Sequence, residues 1–587
     1  MHKNIPLVVG ITVLFLGTCI TPSVAIDNEK KSTLPLFNGY IQNLIDNASE
    51  GDTIYIPSGT YYENIVINKS INLVGENRET TIIDGNRKGD VVFISADYVN
   101  ISNFTIRNSK REKPYSGIRV VSDHNSISRN NILENYIGIR FENFSKYNII
   151  SCNNITLCDA DGIELEKSNY STITRNNITL CDADGIELYK SNYSTITRNI
   201  IFNNFWFGIE MDWANYNYIT NNDIISNDDG ICIAHSCNYN HIKNNYIVSN
   251  HFNGIVLLWD TNYNVVDGNN LSLNGNHGIY IDACINNTIV HNNITLNDLA
   301  GIYISLYSNN NLILRNNISH SYDGIDVWKS PYNTFIENNI YNNRYGIDLR
   351  ESKSSIILNN SFLGNGLHVW DSYNNIVENN TVNNKPMVYF EEKSNKTITN
   401  AGQVILIKCM NITISNLDIS NTSEGIFLKG TNYCTIKGNT ISETKCTGIY
   451  IYKSNYNYIL DNNIISNKHD GILIAYSDNN TIYHNNFINN VDNAVDRGSN
   501  IWDDGKFGNY WSNYMYKYPD AKKLFLKGIW DTPFKIAGGD NKDNCPLIWK
   551  WPNSRTRTIP RTRTVSYLWF LERFPLLEIL LNIIHYN

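Results

Sequence analysis

The stretch "NNITLCDADGIELEKSNYSTITR" (residues 153–175) is followed at once by "NNITLCDADGIELYKSNYSTITR" (176–198), and the copies differ only at Glu166 and Tyr189. A closed core has no place for a second copy of an internal segment, because the added apolar side chains would need new burial. An open-ended stack takes the copy without new packing, since each unit touches only its neighbours. Self-similarity at a period of about 20 to 50 residues is the mark of such a solenoid.

The same beat extends in both directions. A Gly-Ile step recurs at Gly117, Gly138, Gly162, Gly185, Gly208, Gly230, Gly254, Gly278, Gly301, Gly324 and Gly346, every 21 to 24 residues, and resumes at Gly425, Gly448 and Gly471. Gly366-Leu367 and Ala494-Val495 read as variant members. Within a unit, short runs such as "GIELE", "STIT" and "NNITL" carry Ile, Leu, Val and Thr between Asn, Ser, Asp and Gly, a strand-turn-strand-turn-strand pattern. A leucine-rich repeat shares the period but needs a Leu spacing and a helical return that these units lack. The expected fold is therefore all-β: a single-stranded right-handed parallel β-helix of about 20 coils, a rod on the order of 95 Å at ~4.8 Å per coil. Isoleucines stack inside it. Steps such as Asn221-Asn222, Asn292-Asn293 and Asn316-Asn317 fall at bends, where Asn tolerates left-handed backbone and amides can bond from coil to coil.

Both ends of the stack need plugs against edge pairing. Residues 35–500 read as the β-helix with its N-terminal cap: an apolar periodic segment from Phe37 to Ile45 suits a capping helix, and Thr53 to Ile56 the first strand. Between Lys385 and Gln403 the rhythm breaks, and residues 385–403 are expected to loop out as an insertion. Residues 501–553 turn aromatic and turn-rich, as a C-terminal cap. Residues 554–587 read as a basic Thr/Pro linker and an apolar segment broken by Glu572, Arg573, Pro575 and Glu578, which suits docking at an envelope or membrane surface better than a span.

Residues 1–25 read as a signal peptide, with His2 and Lys3, an apolar run from Ile5 to Leu16, and Ser23-Val24-Ala25 as the cleavage site. An uncleaved anchor is the alternative. Cleavage places the mature protein outside the cytoplasm, secreted or at the cell surface, and leaves ten of eleven cysteines, none at metal-finger spacing. Cys158 and Cys181 hold equivalent positions in successive coils, and are read as a disulfide or as two free thiols. A net charge of −8 over 587 residues offers no electrostatic footprint for nucleic acid.

Residues two and four after each Gly share one outward face. There Glu164, Glu166, Glu187, Glu210 and Asp212 stack, while Asp161, Asp184 and Asp229 approach from the turn before the Gly. Like charges about 5 Å apart cost roughly 1 kcal/mol per pair in water and about 3 kcal/mol at an effective dielectric of 20. Solvation of the strip, a hard cation such as Ca²⁺, or a raised pKa on one member would offset this. Tyr189, Tyr280, Tyr303 and Trp328 on the same face are the candidate sugar platform. Carboxylates at this spacing also match a retaining glycosidase pair. Asp228-Asp229 is similar to the paired aspartates of polygalacturonases, but their Gly-His-Gly and Arg-Ile-Lys are missing, so no catalytic residue is assigned.

The Gly-Ile/Asn-Asn coils, the opening "GDTIYIPSGTYYENIVINKSINLVGE", "KPMVYF" with "AGQVILIKCMNITISNLDIS", and the closing "GNYWSNY", "DTPF" and "DNCPL" resemble the NosD-like right-handed β-helix proteins over residues 35 to 552. Many of these are archaeal surface or secreted proteins, within a wider group of carbohydrate-binding and sugar-hydrolase β-helices. The resemblance implies an extended surface for polysaccharide or cell-envelope glycan. The alternatives are a polysaccharide lyase, hydrolase or epimerase at the acidic strip, and a purely structural surface protein. NosD itself implies copper handling, which five Met and scattered His support poorly here.

Overall fold

The computed structural model describes residues 39–552. The expected signal peptide and the linker and amphipathic segment at 554–587 lie outside the described residues. The chain is a right-handed parallel β-solenoid of about 20 turns. Each turn contributes one short strand to each of three sheets. One sheet, of fourteen strands from Ile65–Ile67 to Leu367–Trp370, carries the Gly-Ile steps from Gly117 to Gly346 and is called the glycine sheet below. A second has fifteen strands from Thr53–Ile56 to Ile376–Glu378, and a third runs from Gly59–Tyr61 to Thr381–Val382. Coils pair in register, so Ile163, Ile186, Ile209 and Ile231 form one fully buried column.

The bends obey a rule finer than the sequence suggested. The left-handed residue is usually the one before the buried Asn: Arg175 (φ 55°), Arg198 (φ 58°) and Asn221 (φ 56°) turn the chain, and Asn176, Asn199 and Asn222 then point inward. Asn176 Nδ2 donates to Asn199 Oδ1 at 3.1 Å and to the Ile150 carbonyl at 3.0 Å, and the Asn176 N–H donates to the same Asn199 Oδ1 at 2.9 Å. Asn199 repeats the pattern on Asn222. These amides are buried and their polar atoms are paired, as an interior demands. Outside, a second ladder stacks Tyr147, Tyr170, Tyr193 and Tyr216 at 4.9 to 5.1 Å between ring centroids, so each ring covers its neighbour's face.

Glycine is required where coils approach most closely. A Cβ on Gly185 would lie 2.6 Å from the Gly208 carbonyl oxygen and 2.5 Å from Ile201 Cγ2.

The first end is closed by helix Tyr40–Asn47, whose Ile41 and Ile45 are fully buried on the first coils. Glu63 accepts from the Ile41 and Gln42 N–H groups at 3.1 Å, satisfying orphan donors at the helix start. The far end is closed by the aromatic segment after Asn500. There Trp511 lies between Phe487 (4.5 Å) and Phe534 (4.1 Å) and donates to the fully buried Asp543 carboxylate.

Two expectations are corrected. Residues 385–403 are not a looped-out insertion, and the coils do not form one continuous rod. Asn383 and Asn384, both left-handed, make a two-residue hairpin that turns Lys385–Glu391 antiparallel to Thr381–Val382. Such a loop needs positive φ at both central residues, which Asn supplies. The strand Lys385–Glu391 then pairs in parallel with Gln403–Ile407 and starts a second, shorter stack with its own core. That stack packs across the last coil of the first. Gln403 bonds the backbone of Leu367 with both ends of its amide, at 3.0 and 2.9 Å, and Lys429 pairs with Asp371 at 2.7 Å.

Deleting residues 176–198 joins Arg175 to Asn199 as Arg198 is joined now. The shortened chain is expected to fold with the parallel-β circular dichroism and cooperative melting of the parent. Loss of soluble folded protein would contradict an open stack.

Candidate functional site

The glycine sheet places the predicted carboxylates in outward columns. Pairing in register runs Arg119, Arg140, Glu164, Glu187, Glu210, Cys232 in one column and Glu166, Tyr189, Asp212 in the next. Asp161 and Asp184 sit at the strand entrances, but Phe207 takes the next such position, so Asp229 is separated from them and is bonded by Asn253 N–H and Nδ2.

The strip is not the solvated face its composition suggests. Asp161, Glu164 and Asp184 are buried, and Glu187, Glu210 and Asp212 are half-buried. One cover is the irregular segment between strands Thr105–Arg107 and Ser116–Val120. From it Lys113 Nζ reaches over two coils to donate to Glu164 Oε1 at 3.1 Å, and Arg111 pairs with Asp159 at 3.0 Å. Underneath, Arg140 faces Glu142 at 3.2 Å and Glu164 Oε2 at 3.5 Å, and donates to Glu166 at 2.5 Å. Glu164 Oε2 accepts no hydrogen bond.

Two cations do not neutralise the whole strip. Burial first, then the charges of Asp161 and Glu164, pushes Glu187 up to about 8. Burial also holds Asp161 near 6, and burial with Asp161 and Glu210 nearby lifts Asp184 to about 10, where its proton is shared with Glu210. Near neutrality the strip therefore carries protons as well as charge. Among the described residues, Asp161, Glu164 and Glu187 are the one group of three whose ligand atoms converge, within 4.8 Å of one another. They are hard oxygen donors.

The sequence reading missed the flanking tryptophans. Strand Phe207–Asp212 carries Glu210 and Asp212, and it is preceded by Trp206 (52% exposed) and followed by Trp213 (40% exposed). These Cα positions are roughly 23 Å apart at ~3.3 Å per residue. No ring of the described residues is stacked on Trp206. Trp213 is more enclosed: it stacks on His235 at 4.7 Å, meets Tyr189 edge-on at 5.5 Å, and has the Lys190 ammonium over its ring at 5.3 Å, the same ammonium lying 4.8 Å from Tyr189. Only Tyr189 of the predicted aromatic platform belongs here. Tyr280 and Tyr303 stack on each other at 5.4 Å further along the neighbouring column, and Trp328 lies in Tyr189's column but several coils away.

Cys158 and Cys181 are free thiols, both buried, one above the other. In-register coils keep their side chains parallel, whereas a disulfide needs them to converge.

A second polar cluster lies where the stacks meet. Asp326, Asp348 and His368 succeed one another in the glycine sheet, and Glu424 of the second stack reaches His368 Nδ1 at 3.1 Å. Glu424 and Asp348 raise His368 to about 9 against its burial. No repeat pattern announces this contact, because it depends on the hairpin.

Residues 301–369 and 318–515 match the family model described as periplasmic copper-binding protein (NosD), and residues 116–263 and 217–318 match that of the right handed beta helix region. Residues 301–515 are therefore NosD-like, within a chain of β-helix repeats. Among the described residues the converging group is all carboxylate, a set of hard oxygen donors and not the imidazole or soft sulfur that copper prefers. No curated protein sequence matches this chain. Among solved structures, Dettilon tailspike protein is 16% identical with a TM-score of 0.42, over 50% of this chain and 65% of that one. A double mutant of the periplasmic alginate epimerase AlgG is 15% identical, TM-score 0.40, over 51% and 82%. DFA-IIIase from Arthrobacter chlorophenolicus A6 is 15% identical, TM-score 0.37, over 45% and 84%.

The raised carboxylates make stability pH-dependent. Glu187 binds its proton more tightly folded than unfolded, so its contribution is full below about 4.5 and is lost as pH rises through about 8. Denaturant midpoints measured from pH 5 to 9 are expected to fall over this window, and to fall less in Glu187→Gln. An unchanged slope in the variant would mean that Glu187 titrates normally.

Proposed function

We propose that this chain is an extracytoplasmic glycan-binding β-helix protein, whose site is the groove over the glycine sheet at Glu187, Glu210 and Asp212. The observation that carries this reading is the pair of exposed tryptophans, Trp206 and Trp213, at the two ends of the strand that bears Glu210 and Asp212. Sugar rings present apolar C–H faces and a rim of hydroxyls. The indole of Trp206, on which no ring of the described residues stacks, suits the former, and half-buried carboxylates accept hydrogen bonds from the latter. The periplasmic description of the matched family supports the location. Residues 554–587 would hold the protein near an envelope surface. Ca²⁺ entering the Asp161, Glu164 and Glu187 group would compete with the Lys113 ammonium that bonds Glu164.

Replacing both Trp206 and Trp213 with Ala is expected to abolish retention on an immobilised panel of envelope and neutral polysaccharides while leaving the melting temperature close to the parent's. Retention unchanged by the double substitution would remove the groove as the site.

One observation favours an enzyme as the second reading. Glu187 retains a proton near neutrality beside Asp161 and Glu164, so a proton donor and proton acceptors share one strip, as lyase, hydrolase or epimerase chemistry requires. On this reading Glu187→Gln abolishes release of reducing ends or unsaturated products from a polysaccharide panel without unfolding the stack. Absence of turnover by the parent protein on that panel, with control enzymes active, would leave binding alone.

A further inference from the structure

The lysines beside the acidic strip indicate what chemistry it takes. Lys113 places an ammonium on the floor, against Glu164 at 3.1 Å. Lys190 places a second on the wall, over the Tyr189 and Trp213 rings. Both reach in from flexible side chains, and neither partners Glu187, Glu210 or Asp212 by a direct bond. Glu164, only 2% exposed, keeps Oε2 without a hydrogen bond, its nearest cation being Arg140 at 3.5 Å.

A polyuronate brought here would meet like charge at close range. A neutral glycan would strip water from half-buried carboxylates and return only hydroxyl hydrogen bonds, leaving the desolvation of charge uncompensated. A ligand carrying ammonium groups supplies what the floor lacks, and the aromatic walls accept ammonium as well as sugar faces. The carboxylates repeat in two directions: Glu210 and Asp212 lie about 7 Å apart along one strand, and Glu187 and Glu210 about 5 Å apart between coils. A polymer with one amine per ring can therefore place successive amines on successive carboxylates.

Resting on the glycan reading of this strip, we propose that its ligand is an amino-sugar polymer, bound through ammonium groups on Glu187, Glu210 and Asp212 with a ring against Trp206. Lys113 on Glu164 and Lys190 over Tyr189 border the carboxylates that those ammonium groups reach.

The test is titration calorimetry of the full chain with four oligomers of equal length: glucosamine, N-acetylglucosamine, galacturonate and lysine. The glucosamine oligomer is expected to bind about tenfold or more tightly than its acetylated form, with affinity falling as salt rises. Binding at pH 7 should release protons to the buffer, because an ammonium beside Glu187 and Glu210 lowers carboxyl groups that burial and neighbouring carboxylates hold high. The variant Glu187→Gln/Glu210→Gln should erase the preference while still melting cooperatively, and Lys190→Met should strengthen binding by freeing the wall. Equal or tighter binding of the acetylated or uronate oligomer would overturn the amino-sugar assignment while leaving the glycan site standing. A lysine oligomer bound as tightly as the glucosamine one would show charge alone at work and overturn it too. Failure of every sugar to bind would sink the glycan reading itself.

Discussion

Everything in this molecule depends on register between coils. Backbone pairing alone would let one coil slide on the next, and a one-residue slip would turn every inward isoleucine outward. The buried asparagines prevent it. Each amide oxygen accepts from the backbone and side chain of the Asn one coil earlier, so Asn176 can bond Asn199 only when the coils are aligned. A slipped coil would leave buried amides unpaired, at about 1–3 kcal/mol for each group. The left-handed residues that precede these asparagines carry a conformational cost of their own, roughly 1–2 kcal/mol each for residues with a side chain, and persist because the ladder holds the next residue, the asparagine, in place.

Register also creates the electrostatic problem. Like residues at like positions stack on themselves, which suits isoleucine and asparagine and not glutamate. Glu164, Glu187 and Glu210 are neighbours because the strands that carry them pair in register. The protein answers unevenly along the column. Arg140 and Lys113 serve Glu164, His235 accompanies Asp212, and further on Cys232 and Val256 end the charge with small buried side chains. Between these, Glu187, Asp184 and Glu210 are left to share protons. That gap, flanked by Trp206 and Trp213, is where an outside group gains most by entering.

The parts legible in the sequence are those the period encodes: three strands per coil, the isoleucine columns, the amide ladder and the stacking of Glu164 on Glu187 on Glu210. Features that break the period could not be read from it. Asn383-Asn384 is one Asn-Asn step among many, and only the pairing of Lys385–Glu391 back onto Thr381–Val382 shows a hairpin instead of another bend. Lys113 lies in an irregular stretch with no coil position, so its reach to Glu164 was invisible. Trp206 and Trp213 fall one residue outside the strand, beyond its alternating positions, and Trp213 belongs instead to a turn column with His235 and Trp259.

The duplicated coil shows how such a site can be made from a scaffold. The copies differ inside the repeat at a single equivalent position, Glu166 in one and Tyr189 in the other. Glu166 is a structural residue: Arg140 and Lys167 both hold it. A glutamate at 189 would lie in register between Glu166 and Asp212, a third carboxylate in that column. Tyrosine removes that repulsion, sets its ring edge-on to Trp213 and gives Lys190 an aromatic face. At the same time the copy adds Glu187 to the column between Glu164 and Glu210. Duplication thus lengthened the acidic floor by one rung, and one substitution turned its flank from an ion pair into a wall, which are the two features that a ligand crossing this sheet would use.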